Sequence, residues 1–272
     1  MDKAQKLTRA DLRNASPQEI RNLIRSGDYR DVTSGLARGY TQVNLVVLPG
    51  KYAEDFHRFC QRNPKPCPLL SISEPGAPRF PELGPDIDIR SDISSYNVFR
   101  NGELTEAVCD VSDYWTDDMV GFALGCSFTF EEALEEAGLT LRHNAMGKIC
   151  PMYTTNIDAN PAGPFNGKLV VTMRAFPAPD AIRAIQVTSR FPGVHGAPIH
   201  IGDPAAIGIA DLDQPEFGGD RMPIEKGEIP LFWACGVTPQ LALKTARPEI
   251  CITHTPACML ITDVKSAETA AF

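Results

Sequence analysis

The chain is 272 residues long and 43% hydrophobic, enough apolar material for a packed core in one large domain or two lobes. Its 26 lysines and arginines stand against 34 acidic residues, a net charge of -8. No segment gathers basic residues into a stripe able to neutralise phosphates, which argues against a nucleic-acid partner. The start, Met1 to Lys6, is polar and shows no apolar signal region, and no stretch is long enough to span a bilayer, so a soluble cytoplasmic protein without a membrane partner is expected. The eight cysteines form no C-x-x-C pair, so they are read as reduced thiols.

In chain order, Ser16 with Glu19 has the capping-box form and starts a short helix that carries Ile20, Leu23 and Ile24 on one face and stops at Gly27. Val43 to Pro49 reads as a buried strand, and Tyr52 to Asn63 as a helix presenting Phe56, Phe59 and Cys60. Pro64, Pro66 and Pro68 exclude helix and predict an extended run into a strand at Leu69 to Ile72. If Asp86 to Asp92 is a strand, Asp86, Asp88, Arg90 and Asp92 share one face. That arrangement is either an ion-pair knot or a site where Arg90 binds a substrate carboxylate.

Asp117 to Leu124 is expected to be a helix ending at Gly125, linked through Cys126 and Ser127 to a second helix over Phe130 to Ala137. Asn156 to Gly167 is the most loop-like stretch and the candidate lobe boundary within a single domain over 1–272. Lys168 to Met173, Leu231 to Ala234 and Met259 to Thr262 read as strands and Asp180 to Ser189 as a helix, with no internal repeat along the chain. The alternation of elements predicts a mixed α/β fold, with mixed sheets flanked by helices.

Three segments carry the candidate chemistry. Leu124 to Glu132 and Phe232 to Gln240 each end an apolar run in a cysteine, Cys126 or Cys235, and then enter a helix start. Thr129 with Glu132 resembles a capping box, and Thr238 before Pro239 reads as an N-cap. Unpaired N–H groups and the positive dipole end at such turns can hold an anion or lower a thiol pKa, although a free cysteine in such a turn also serves as a small buried hydrophobe. Gly193 to Pro204 packs His195, His200 and Asp203 into an irregular stretch. The three segments together are expected to line one pocket.

Six ordered motifs resemble the D-glutamate cyclase family: Gly35 to Leu45, Arg62 to Pro68, Asp88 to Asp92, Gly125 to Phe128, His195 to Pro204 and Phe232 to Gln240. The resemblance covers nearly the whole chain. It implies a hydro-lyase, because bacterial members of the family carry that name and a larger mitochondrial relative, with an added C-terminal domain, closes D-glutamate to 5-oxo-D-proline with loss of water. Two positions depart from the pattern: Thr154 stands where the family has arginine and Ala257 where it has glycine after a Thr-His motif that ends here in His254.

For that reaction, His195 or His200 is the candidate general acid/base and Asp203 the group that orients one of them. N–H groups around Cys126-Ser127-Phe128 and Val237-Thr238, with the Ser127 and Thr238 hydroxyls, can hold carboxylate oxygens, and Arg90 and His254 complete the substrate-binding set. Cys126 or Cys235 can in principle form an acyl intermediate, but a free carboxylate resists thiol attack. His195, His200, Asp203 and His254 can also be read as ligands to zinc, yet their spacing does not favour it, and no metal and no cofactor are expected. The rival outside enzymes is a protein that binds a small carboxylate or amino acid without transforming it. Nothing in the sequence sets the oligomeric state.

Overall fold

The computed structural model describes residues 7–271; the polar start read above at Met1 to Lys6 lies outside them. The helices are α1 (Arg9–Leu12), α2 (Pro17–Ser26), α3 (Ala53–Arg62), α4 (Phe128–Glu136), α5 (Arg142–Ala145), α6 (Ala178–Ser189) and α7 (Thr238–Ala246). The strands are β1 (Tyr40–Pro49), β2 (Leu69–Ile72), β3 (Tyr96–Arg100), β4 (Glu103–Val108), β5 (Met119–Gly125), β6 (Met152–Asp158), β7 (Lys168–Pro177), β8 (His200–Ile201), β9 (Glu228–Ala234), β10 (Cys251–His254) and β11 (Leu260–Lys265). They form two antiparallel sheets, one ordered β2-β5-β1-β10-β3-β4 with β11 also on β1, the other β6-β7-β9-β8. The fold is mixed α/β.

β1 is buried along nearly its whole length because both faces of its sheet are covered. Val43, Leu45 and Val47 join Phe80, Ile87 and Ile89 on one face; Val46 and Leu48 join Phe56, Phe59 and Phe122 on the other. α2 begins at the predicted Ser16 capping box and ends at Gly27 in the left-handed conformation, φ 86°.

Three local expectations are corrected. Residues 119–125 form β5 between β1 and β2 rather than a helix, because pairing on both edges overrides the weak periodicity of a short apolar run. Gly121 fits this strand for a packing reason: a Cβ there would lie 2.6 Å from Ile89 Cδ1. Residues 64–67 form a hydrogen-bonded turn, with Cys67 N donating to Asn63 O at 3.0 Å, instead of an extended run. Asp86 to Asp92 forms turns, not a strand, and its side chains join ion pairs: Asp86 meets Arg21 and Arg25, Asp92 takes the same Arg25 through Nη2 at 2.7 Å, and Asp88 takes Arg90. The loop-like 156–167 segment joins β6 to β7 and sends Phe165 into the core of the first sheet.

A repeat invisible in the sequence emerges at the level of topology. The order β2-β5-β1-β10 has its counterpart in β8-β9-β7-β6. β1 and β7 each have 10 residues and end in a proline followed by a helix, while β5 and β9 each have 7. Gly125 pairs with Val43 as Ala234 pairs with Val171, so the registers coincide. The halves also exchange helices. Phe130 and Leu134 of α4 pack with Phe176, Ala184 and Trp233 of the second half, whereas Ala242 and Leu243 of α7 pack with Phe56 and Phe122 of the first. This exchange sets the starts of α4 and α7 on one cavity.

Candidate functional site

The cavity is small, about 40 Å³, and its walls come from both halves. Cys126, Ser127 and Phe128 approach from one side and Cys235, Gly236 and Val237 from the other, with Asn44 of β1, Thr172 of β7 and His254 of β10 between them. The two cysteine turns are equivalent positions of the repeat. At each, the N–H two residues on, Phe128 or Val237, eases ionisation of the thiol, though less than burial opposes it.

Burial pushes the Cys126 thiol up to about 11 and those of Cys150 and Cys235 to about 12. All three are therefore neutral thiols near neutral pH, which makes them poor nucleophiles.

Neither helix uses the cap that its sequence suggests. Ser127 is the N-cap residue of α4 and Val237 that of α7, without a side-chain cap bond. The threonines instead tie each helix to the central strand beside it. Gln42 N donates to Thr129 Oγ1 at 3.2 Å, and Val170 N donates to Thr238 Oγ1 at 2.9 Å. Glu132 turns outward, taking Arg38 Nε at 2.7 Å and Gly39 N at 2.6 Å.

Behind Ser127 lies a buried polar unit that sequence reasoning did not select. Arg174 Nε donates to Glu131 Oε1 at 3.0 Å, Nη1 to Thr172 Oγ1 at 3.0 Å and Nη2 to Ser127 Oγ at 3.4 Å. His143 Nε2 meets the same Glu131 oxygen at 3.0 Å. The guanidinium also stacks over Phe130 and Trp233, 5.3 Å from each ring centre. Burial alone would raise the Glu131 carboxyl, but His143 and Arg174 outweigh it and hold the group at about 2. Glu131, His143 and Cys150 place one ligand-type atom each within 4.8 Å of one another. Arg174 already occupies the carboxylate, which gives this trio the character of an ion-pair network rather than a metal cage. The signal available in the sequence was an arginine set inside the apolar strand Leu169 to Phe176.

The remaining candidates stand elsewhere. His254 lines the cavity, its Nδ1 lying 3.1 Å from Leu45 N and 3.4 Å from Leu45 O; burial lowers its pKa to about 4. His195, His200 and Asp203 do not line it. His195 is buried at φ 86° and its Nδ1 meets Lys65 O at 2.7 Å, while Lys65 Nζ donates to Ala197 O at 2.7 Å, so this loop grips the 64–67 turn of the other half. Burial brings His195 to about 4, and its Nε2 is buried without a partner among the described residues. His200 meets the carbonyl, not the carboxylate, of Asp203 at 2.7 Å; that carboxylate accepts from Ala205 N at 3.0 Å. Asp203 therefore does not orient an imidazole through its side chain. Arg90 is held by both carboxylate oxygens of Asp88, at 2.9 and 2.6 Å, and does not reach the cavity.

No helix among the described residues is long and apolar enough to cross a membrane. The family model described as D-glutamate cyclase matches residues 120–263, which include both cysteine turns, Arg174 and His254. A protein named "Putative hydro-lyase" from Bordetella pertussis is 59% identical over 91% of this chain and 89% of its own length. Others with that name from Rhizobium johnstonii and Methylobacterium radiotolerans are 55% and 54% identical, over 95% and 92% of this chain and 96% and 92% of theirs. A solved nitrogen repressor-like protein from Methanococcus jannaschii aligns over 86% of this chain and 90% of its own at 12% identity, with a TM-score of 0.37, too distant a likeness to carry an argument. A match over more than half the chain, together with relatives of this identity and coverage, places the chain in the D-glutamate cyclase family.

Proposed function

We propose that the protein is a hydro-lyase acting on a small amino or hydroxy acid at the cavity between α4 and α7, with D-glutamate the substrate that the family description favours. The observation that carries this reading is the Arg174, Glu131 and His143 unit set against Ser127 and Thr172 in the cavity wall. A buried charge network beside a small cavity between two helix starts is costly to build and suits preorganised stabilisation of developing charge.

In closure of glutamate, the amine nitrogen bonds to the side-chain carboxyl carbon and a C–O bond breaks. Both protons shed by the ammonium leave with that oxygen as water, so the reaction needs a proton path over a short distance and no net exchange with solvent. Ser127, backed by Arg174, is assigned to the carboxylate oxygens, and the His254 imidazole to the departing oxygen. Neutral thiols argue against an acyl intermediate on Cys126 or Cys235. In this reading His195 acts at a distance, by holding the second half against the first, while His200 steadies its own loop. A diffusible acid is the partner and the cytoplasm the setting, in keeping with eight unpaired cysteines.

The test is loss of primary amine from D- and L-glutamate on incubation with the pure protein, followed by a screen of other amino and hydroxy acids for loss of water. Ser127→Ala and His254→Gln are expected to lower kcat by ~10²-fold where they remove transition-state contacts, with smaller changes in KM. Thermal stabilisation by an acid that is never turned over would identify a binding protein instead.

A further inference from the structure

The inner cavity, at about 40 Å³, is the smaller of two spaces that meet at Phe128. A larger cleft of about 360 Å³ opens on the other side of Phe128, the residue that lines both spaces. That volume lies in the range of small-molecule sites.

Its acidic residues are already engaged: Glu132 by Arg38, Glu135 by Arg13 and Asn144, Glu131 by Arg174. Two cations in the cleft have no carboxylate partner among the described residues. Arg9 Nη2 donates to Ser34 O at 2.7 Å and Ser34 Oγ at 3.1 Å, and the Lys148 side chain makes no ion pair or hydrogen bond there. Two buried polar atoms also lack partners among the described residues, and both belong to residues lining the same cleft: Gln42 Oε1 and Ser266 Oγ. Gln42 is 3% exposed and Ser266 8%. The Gln42 amide is fixed, since its Nε2 donates to Thr33 O at 3.2 Å and Leu36 O at 3.0 Å, so its oxygen is left as an acceptor facing no donor. Unsatisfied buried polar groups are rare in native proteins and are commonly completed by a ligand or water.

We propose that this cleft is the binding site for a small acid that carries both an anionic group and an N–H or O–H donor. Arg9 and Lys148 take the anion, while the ammonium or hydroxyl end lies against Gln42 and Ser266, whose buried oxygens come within its reach by a small outward shift. The site stands on its own geometry; only the identity of the acid, a molecule of the substrate's class waiting outside Phe128, rests on the function proposed above.

Calorimetric titration with D-glutamate and D-malate tests it on the full chain. At least one is expected to bind saturably, with Kd raised tenfold or more by Lys148→Glu and by Arg9→Met/Lys148→Met. Lys226→Glu, an exposed cation that does not line the cleft, is expected to change Kd less than twofold. Lys148→Glu keeps the test valid if loss of the Arg9 contact to Ser34 disturbs folding. Binding of neither acid, an unchanged Kd in Lys148→Glu, or equal weakening by Lys226→Glu overturns the proposal. Turnover separates the two readings. Activity with a Kd indifferent to Lys148→Glu keeps the enzyme and removes this site, whereas binding lost in Lys148→Glu without wild-type turnover keeps the site and removes the enzyme.

Discussion

Arg174 of β7 and Glu131 of α4 belong to opposite halves of the repeat, yet Arg174 Nε reaches Glu131 Oε1 at 3.0 Å with both side chains buried. Removing one member strands the other charge in a dry interior, where breaking a buried pair costs about 3–5 kcal/mol. Arg174→Met is therefore expected to lower unfolding stability in urea by roughly that amount. The double variant Arg174→Met/Glu131→Gln is expected to recover part of it, because no uncompensated carboxylate remains. A double variant less stable than Arg174→Met would show that the pair is not the source of the loss.

Acid is expected to weaken the fold in two steps. His195 and His254 are held at about 4 in the folded protein against an ordinary 6.5, so the unfolded chain binds more protons between those values and stability falls as pH drops from about 6.5 towards 4. Glu131, held at about 2 against 4.5, adds a second loss below about pH 4.5. Denaturant midpoints measured across this range check the order, and His195→Gln/His254→Gln should flatten the upper step while leaving the lower one.

The cysteines are expected to divide sharply in reactivity. Cys109 is exposed, whereas the other seven are buried. At pH 8 a thiol-specific chromogenic reagent should titrate one group quickly in the native protein and all eight in denaturant. Cys109→Ser should abolish the fast phase without altering turnover. Fast labelling of Cys126 or Cys235, located by mass spectrometry, would contradict the neutral buried thiols described above.

Gly236 of the second half has no room for a side chain: a Cβ there would lie 2.1 Å from Nδ2 of Asn44 in the first half, which donates to Gly125 O at 3.0 Å on the neighbouring strand β5. Gly236→Ala is expected to cost about 1–3 kcal/mol by overpacking. Adding Asn44→Ala should relieve the clash, so the double variant should be more stable than the sum of the single losses implies. Additive losses would place the cost of Gly236→Ala somewhere other than Asn44.

Local rules of the chain were enough for α2, with its Ser16 cap and Gly27 stop, and for the buried strand and amphipathic helix that follow, because each depends on neighbours a few residues apart. The cysteine turns were legible too, as ends of apolar runs meeting a helix start. Tertiary structure decided what these pieces mean. It turned 119–125 into β5, since strand pairing on both edges outweighs local periodicity. It matched the register of two halves whose side chains differ, which a reading of residues passes over because backbone pairing tolerates many side chains. It brought Arg174 to Glu131 across 43 positions and left His195 and His200 outside the cavity. Sequence specifies the short-range preferences of each segment; partners distant along the chain are chosen only when helix exchange and sheet packing close the core around them.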